Sequence, residues 1–233
     1  MPDSSGDLID ILADCLPNDH CAQTSAEYYV DLLYDRLWKG DGKPRVLDLG
    51  YGDGRSLDVF RRRDPTVDWA GIDINDSPAA RKRTNGDGSF SVYDGVEIPF
   101  APESFDMIYS KHVLEHVRRP LELPRNVRRA LKPDGYYAGS VSQLEPYHGY
   151  SFWNFTPLGF KEVIEEGGLR ICELRPGADA VALMAWHLRG GLFRKAWWTS
   201  ETPLNRLFGA YGRWRRKDIR QTNFLKLRFS PSW

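Results

Sequence analysis

The chain is short of cysteine, carries no excess charge and has no long hydrophobic run. Its three cysteines, Cys15, Cys21 and Cys172, are too few and too scattered for a disulfide framework or a zinc knuckle, so we expect reduced thiols. Lysine plus arginine and aspartate plus glutamate both total 32, so no long-range field favours a nucleic acid. No stretch approaches the ~18 apolar residues of a membrane span, and the acidic start lacks the features of a signal peptide. These absences predict a cytoplasmic protein with no nucleic-acid partner.

What the chain does contain is a glycine-rich turn directly after an apolar strand. Residues 46–55 read VLDLGYGDGR, with glycine at Gly50, Gly52 and Gly54. Glycine lacks a Cβ, so such a turn can adopt positive φ and let the backbone approach a ligand closely. The following helix offers free N–H groups to a polar or anionic group. We interpret the turn as part of a cofactor site.

The spacing of these glycines argues against a dinucleotide. That fingerprint needs glycine at its first, third and sixth positions, but the sixth position after Gly50 is Arg55. Asp53 would also place negative charge where a pyrophosphate sits, and we predict instead that it caps the next helix. NAD and FAD are therefore disfavoured, and no Gly-Lys-Ser or Gly-Lys-Thr completes a P-loop.

Five ordered motifs resemble those of the class I S-adenosylmethionine-dependent methyltransferases. They are DLGYGDG at 48–54, which matches D/E-x-G-x-G-x-G, then WAGIDINDS at 69–77, DGVEIPF at 94–100, SFDMIYSKHVLEHV at 104–117 and LKPDG at 131–135. The resemblance covers roughly residues 45–168. It implies an α/β Rossmann-like, doubly wound and mostly parallel seven-stranded sheet that binds S-adenosylmethionine.

A cofactor site follows from these motifs. Asp73 ends a predicted strand about 20 residues after the glycine turn, where a carboxylate accepts from both ribose hydroxyls; a solvated surface acid is the alternative. The resemblance gives Asp48 the methionine ammonium and gives Asp94 the adenine edge, although Asp94 is also typical of an Asx turn. The predicted cofactor residues are Asp48, Gly50, Tyr51, Gly52, Gly54, Asp73, Ile74 on the adenine face, Asp94, Gly95 and Ser110.

A general base is needed only if the methyl acceptor is a poorly acidic hydroxyl. The candidates are His112 and His148, because imidazole accepts a proton near neutral pH, and His112 lies nearest the carboxyl end of the fourth predicted strand. We expect His116, on the same predicted helix, to be structural. Residues 112–116 also match the H-x-x-E-H run of some zinc proteases, but no third ligand is apparent, so we predict no metal site.

The segment 146–157, PYHGYSFWNFTP, is dense in aromatic residues. It resembles a segment of family members associated with glycan or natural-product pathways, and flat aromatic faces beside histidine and asparagine suit a sugar ring. Packing against the sheet is the alternative. The predicted acceptor residues are Tyr147, His148, Trp153 and Asn154.

Alternating patterns of strand and helix predict a parallel sheet covered on both faces. The predicted helices span 7–16, 26–38, 56–63 and 156–168; the predicted strands span 46–49, 67–74, 90–93, 105–110, 136–141, 171–184 and 223–229. We predict one domain overall, made of an N-terminal helical cap at 1–44, a cofactor-binding core at 45–185, an insertion at 186–222 and the last strand of the sheet at 223–233.

The insertion is basic and aromatic. Against Glu201 and Asp218 it carries Arg189, Arg194, Lys195, Arg206, Arg213, Arg215, Arg216, Lys217 and Arg220. Such residues at 186–220 are typical of contact with an anionic membrane surface, a lipid-linked phosphate or an anionic acceptor. The alternative is a roof over the active site whose cations face water.

These patterns predict an S-adenosylmethionine-dependent methyltransferase that methylates oxygen of a sugar, a glycan precursor or a natural-product small molecule. The alternative prediction is a non-catalytic S-adenosylmethionine-binding or scaffold protein of the same fold.

Overall fold

Within the part of the chain that the structure describes, the sheet contains five parallel strands. A computed structural model describes residues 5–37, 43–74, 88–144, 149–188 and 201–233. Its strands are β1 (Arg45–Leu49), β2 (Asp68–Ile74), β3 (Ser89–Tyr93), β4 (Phe105–Lys111) and β5 (Leu131–Ser140). They lie in the order β3-β2-β1-β4-β5, and every pairing is parallel. The chain order reverses on either side of β1, which is where ligands bind in open α/β sheets.

Eight α-helices are described. They are α1 (Ser5–Ile11), α2 (Ala26–Leu37), α3 (Ser56–Arg63), α4 (Glu122–Ala130), α5 (Pro157–Glu166), α6 (Ala180–Leu188), α7 (Pro203–Trp214) and α8 (Ile219–Leu227). Among them, none combines the length and the apolar character that crossing a bilayer requires.

The chain divides into two compact units. One, the sheet unit, comprises Ala26–Ser140 and Glu166–Leu169. The other, the helical unit, comprises Met1–Ser25, Val141–Glu165 and Arg170–Trp233.

The sheet unit has an aromatic core centred on Phe60. This side chain of α3 is fully buried, and its ring centroid lies 6.3 Å from that of Tyr34 on α2 and 5.5 Å from that of Tyr109 on β4. Val46 of β1 and Leu57 of α3 belong to the same buried cluster. Residues three and four apart share one face of a helix, so α3 presents Leu57 and Phe60 together to the core that supports β1.

The predicted seven-stranded sheet is wrong in its strand number, because the sixth and seventh predicted strands are not strands. Within 171–184, the described backbone is irregular up to Asp179, whose Oδ1 accepts from Ala182 N at 2.8 Å and so caps α6. Within 223–229, the chain forms α8, which Asp218 and Gln221 start with a reciprocal capping box. Local capping therefore favours helix at both places.

Buried polar contacts organise the helical unit. The fully buried Asp179 also accepts, through Oδ2, from Leu204 N at 3.0 Å and Asn205 N at 3.2 Å at the start of α7. Lys226 of α8 donates to Glu201 Oε2 at 2.9 Å, and its side chain is 3% exposed. One carboxylate therefore caps two helices, and a second neutralises a buried ammonium.

Replacing Asp179 by alanine should destabilise the protein by on the order of 3 kcal/mol, because three buried N–H groups at two helix starts lose their acceptor. Urea denaturation measures this loss. The matched control is Asp218→Ala, which removes a cap from the exposed end of α8 and should cost about 1 kcal/mol. Equal losses in the two variants would contradict the double-cap account.

Candidate functional site

The glycine turn after β1 has the backbone that only glycine adopts easily. Gly50, Gly52 and Gly54 have φ angles of +74°, +55° and +82°. Gly50 also lacks space, since a Cβ there would lie 2.3 Å from Cγ2 of Val113. Its N–H donates to Ile72 O at 2.7 Å, so the turn folds back across the end of β2.

Two carboxylates are buried at the ends of β1 and β2. Asp73 is 7% exposed; its Oδ1 accepts from Ile74 N at 2.7 Å and its Oδ2 accepts from Gly52 N at 2.8 Å. Asp48 is 2% exposed and accepts from the Ser56 hydroxyl. Burial raises the pKa of Asp48 to about 7, and the charge of Asp73 adds to this rise while the Ser56 hydrogen bond opposes it. Two buried carboxyl groups therefore lie at the carboxyl end of the sheet.

An apolar surface lies beside these acids. Ile74 is 45% exposed although it is a large aliphatic residue at the end of β2. Gly95, with φ of +92°, faces it: a Cβ on Gly95 would lie 3.5 Å from Ile74 Cγ2. Gly95 therefore places no side chain beside the exposed side chain of Ile74.

Asp94 forms the Asx turn that the sequence offered as an alternative. Its Oδ1 accepts from Val96 N at 2.8 Å and Glu97 N at 2.7 Å, and these bonds lower the pKa of its carboxyl. Asp53 does not cap α3, because the residue preceding that helix is Arg55; the Asp53 carboxylate accepts from Arg55 N at 3.3 Å and pairs with its guanidinium. The Asp53 carboxylate therefore stabilises the turn that precedes α3 and does not cap the helix.

Two further predicted residues are held by packing. The Tyr51 side chain is 9% exposed, and its ring lies 4.9 Å from that of Phe90, so its contribution at the turn surface is mainly its backbone. Ser110 is 3% exposed near the end of β4. A Cβ on Gly139 of β5 would lie 1.5 Å from Ser110 O, which explains why glycine stands opposite this strand end.

His112 leaves β4 with an unusual backbone. Its φ is +55°, and its N–H donates to Ser140 O at 3.0 Å. Its Nδ1 lies 3.0 Å from Oε1 of Glu115, which is fully buried on a short 3-10 helix, Leu114–His116. The expectation that His112 and His116 lie on one helix is therefore wrong, since His112 precedes the 3-10 helix and its positive φ turns it back toward Glu115.

Glu115 has one oxygen without a partner. Its Oε2 is buried and receives no hydrogen bond from the described residues, whereas Oε1 contacts His112. The imidazole side chain of His112 is 23% exposed. A buried carboxylate therefore orients a partly exposed histidine at the carboxyl end of the sheet. Across the ranges given above, no three metal-ligating side chains come together.

The predicted acceptor residues do not lie in the sheet unit with the predicted cofactor residues, as far as the structure describes them. Tyr147 and His148 lie outside the described residues. Trp153, 44% exposed, and Asn154, whose Oδ1 accepts from Ser142 Oγ at 3.3 Å, belong to the helical unit. The predicted cofactor residues and His112 all belong to the sheet unit.

The sequence of the sheet unit is similar to known methyltransferases. Residues 47–139 match the family model described as a methyltransferase domain. Methyltransferase GfsG of Streptomyces halstedii is 31% identical over 120 residues, which cover 49% of this chain and 43% of that protein. An uncharacterized methyltransferase of Mycobacterium avium is 28% identical over 208 residues, which cover 76% of this chain and 79% of that protein.

Over residues 47–139 the chain is therefore similar to methyltransferases, the class of enzyme that its motifs predict. A SAM-dependent methyltransferase of Archaeoglobus fulgidus is among the solved structures to which the chain is similar, with 21% identity and a TM-score of 0.47 over 62% of this chain and 69% of that one.

Three features of the candidate site were not predicted from the sequence: the Ser56 hydroxyl on Asp48, the close approach at Gly139, and the role of Glu115 as the partner of His112. The i, i+3 spacing of His112 and Glu115 was visible, but the spacing alone is equally typical of a solvated helix face.

Asp48→Asn should stabilise the ligand-free protein above neutral pH. Because the folded state holds the Asp48 proton up to about pH 7 and the unfolded chain only to about pH 4, this group lowers stability as the pH rises between those values. Asparagine removes that loss, a gain on the order of 2 kcal/mol at pH 8. Denaturation at pH 5 and pH 8 measures it, with Asp31→Asn on the exposed face of α2 as control. A gain of the same size at both pH values would contradict the pKa assignment.

Proposed function

We propose that this methyltransferase transfers the methyl group of S-adenosylmethionine to an oxygen of a small hydroxylated acceptor, such as a sugar, a glycan precursor or a natural product. The observation that carries the proposal is the pair formed by His112 and Glu115 at the carboxyl end of β4, with Nδ1 and Oε1 3.0 Å apart. A base of this kind serves a hydroxyl acceptor, which must lose its proton, better than it serves an acceptor that is already nucleophilic.

The residues at the strand ends fit the cofactor. Asp73 would accept from the ribose hydroxyls; a carboxylate has about four lone-pair sites, so its two backbone bonds are compatible with this role. Asp48 would hold the methionine ammonium, whose positive charge offsets the cost of ionising a buried acid. Ile74 would pack on the adenine face beside Gly95, where a side chain would occupy the space for the ring. Asp94 keeps its turn and would direct the adenine edge.

Backbone atoms would complete the cofactor-binding site. The Gly50, Gly52 and Gly54 turn brings main-chain atoms close to the ligand without side chains in between. The carbonyl end of β4 at Ser110 would face the methionine part, and Tyr51 would contribute through its backbone. The bound cofactor supplies a sulfonium-activated methyl group, which needs little further chemical activation from the protein.

The protein would act mainly by moving one proton. A carboxylate only accepts hydrogen bonds, so Glu115 favours the tautomer of His112 with the proton on Nδ1, which leaves the lone pair on Nε2. Nε2 would take the proton of the acceptor hydroxyl as the hydroxyl oxygen bonds to the methyl group and the methyl–sulfur bond breaks. Glu115 would stabilise the resulting imidazolium. General-base catalysis of this kind contributes typically about 10² to 10⁴-fold. The acceptor roles of Tyr147, His148, Trp153 and Asn154, and a second base at His148, stay proposals that rest on sequence alone.

His112→Asn should reduce kcat by about 100-fold or more, because the base is lost, and should leave cofactor affinity unchanged. Asparagine suits this position since it tolerates the positive φ of residue 112. Transfer of labelled methyl groups from S-adenosylmethionine to a panel of sugars, glycosides and phenols first identifies an acceptor and then measures turnover.

The control for this variant is His116→Asn, four residues along the same segment, which should retain most of the activity. Wild-type turnover in His112→Asn would remove His112 as the base while leaving the family assignment intact. Tight binding of S-adenosylmethionine without transfer to any acceptor would favour the alternative of a non-catalytic binding or scaffold protein.

A further inference from the structure

Helix α7 carries its large apolar side chains on the solvent side. Leu207, Tyr211 and Trp214 are 61%, 40% and 75% exposed. They follow an i, i+4, i+7 spacing, so they form one stripe along the helix. In an ordinary amphipathic helix such a stripe faces the core, and here it faces outward.

Packing against α8 imposes this orientation. The buried residues of α7 are Asn205, Gly209 and Gly212. A Cβ on Gly212 would lie 2.5 Å from Oγ1 of Thr222 on α8, so the two helices approach more closely than a larger side chain would allow. Since the small residues must face α8, the large apolar residues must face away. The outward stripe is therefore a consequence of the packing.

Helix α6 adds a second exposed stripe. Val181, Met184 and Leu188 are 50%, 55% and 86% exposed and follow an i, i+3, i+7 spacing. Helices α6 and α7 contact each other within the helical unit. Exposed apolar side chains that cluster on neighbouring helices indicate an interaction site.

The surface around α7 is strongly cationic. Between 203 and 228 the one acidic residue is Asp218, whereas the exposed cations are Arg206, Arg213, Arg215, Arg216, Lys217, Arg220 and Arg228. The guanidinium carbon of Arg215 lies 5.6 Å from the ring centroid of Trp214, so charge and apolar surface adjoin. This excess is local, because the whole chain is neutral.

We propose that the surface formed by α6, α7 and the Arg215–Arg220 segment binds the face of a bilayer that contains anionic phospholipids. Leu207, Tyr211 and Trp214 would enter the headgroup region, and the arginines would pair with lipid phosphates. Tryptophan and tyrosine favour this interface, and exposed cations strengthen attraction to an anionic leaflet. At about 1.5 Å per residue, a helix of 12 residues is too short to cross a bilayer. It would therefore lie in the plane of the interface.

Charge complementarity favours a lipid surface over a second copy of this chain. A symmetric dimer through the same face would bring the cations that adjoin the stripe, such as Arg215, close to those of the other copy, which is unfavourable. An anionic leaflet presents the opposite charge over the whole surface at once. Bringing the enzyme to a membrane would also bring it to acceptors held there.

The test is co-sedimentation of the purified full chain with vesicles of phosphatidylcholine alone and of phosphatidylcholine mixed with an equal amount of phosphatidylglycerol. We expect binding to the mixed vesicles, weaker binding to the neutral ones and loss of binding at high salt. Leu207→Ala with Trp214→Ala, and separately Arg215→Glu with Arg216→Glu, should each lower the partition coefficient at least about tenfold.

Matched controls lie elsewhere on the surface. Ile11→Ala changes an apolar residue that is 50% exposed on α1, and Arg62→Glu reverses an exposed charge on α3; both should bind like the wild type. All these positions are exposed, so the variants should keep the wild-type melting temperature.

Three results would overturn the proposal. One is a protein that stays in the supernatant with both kinds of vesicle. Another is binding that the paired substitutions leave unchanged. The third is a concentration-dependent dimer that the Leu207→Ala and Trp214→Ala pair abolishes while vesicle binding is absent, which would assign the surface to self-association.

Discussion

The hydrogen bond from Gly52 N to the Asp73 carboxylate ties the end of β2 to the glycine turn, and the site depends on it. It holds the buried Asp73 carboxylate close enough to Asp48 for its charge to contribute to the raised pKa of Asp48. Two such acids repel each other and lose hydration, so their proximity is unfavourable without compensation. The hydrogen bonds that the two carboxyl groups accept from backbone N–H groups and from the Ser56 hydroxyl supply part of this compensation. Under the proposed function, a cofactor with a sulfonium and an ammonium group supplies the rest.

The second constraint is the exit of the chain from β4. The positive φ of His112 turns the chain immediately after the strand, and the short 3-10 helix that follows brings Glu115 back to the imidazole. Leaving β4 in this way keeps His112 at the edge of the sheet where ligands of α/β proteins bind. The same segment supplies Val113, whose side chain fills the space beside Gly50. The turn and the histidine are therefore packed as one piece.

The sheet region was predictable because its signals are local. The range of α3 matches its prediction of 56–63, and β2, β3 and β4 lie within one residue of theirs at each end. Apolar runs that end in an acid and a turn specify such strands strongly. The last two predicted strands came from the expected strand order of the family, and there the local signals favoured helix: Asp179 caps α6, and Asp218 with Gln221 caps α8.

The candidate site was predictable only in part for the same reason. Asp48, Asp73 and the three glycines stand in a motif whose spacing carries the information. The partner of His112 depends on a backbone angle that no periodicity reveals, and only its two backbone hydrogen bonds show that Asp94 forms the Asx turn. The orientation of α7 likewise depends on the close approach at Gly212, a tertiary contact.

Calorimetric titration of the wild type and Asp73→Ala with S-adenosylmethionine, S-adenosylhomocysteine and NAD tests the central claim most directly. Asp68→Ala, at the opposite end of the same strand, is the control. The account predicts micromolar binding of the first two ligands, no binding of NAD, and a loss of about tenfold or more in Asp73→Ala alone, since a charge-assisted contact to both ribose hydroxyls disappears. Undiminished binding in Asp73→Ala, or binding of NAD in place of S-adenosylmethionine, would contradict the account.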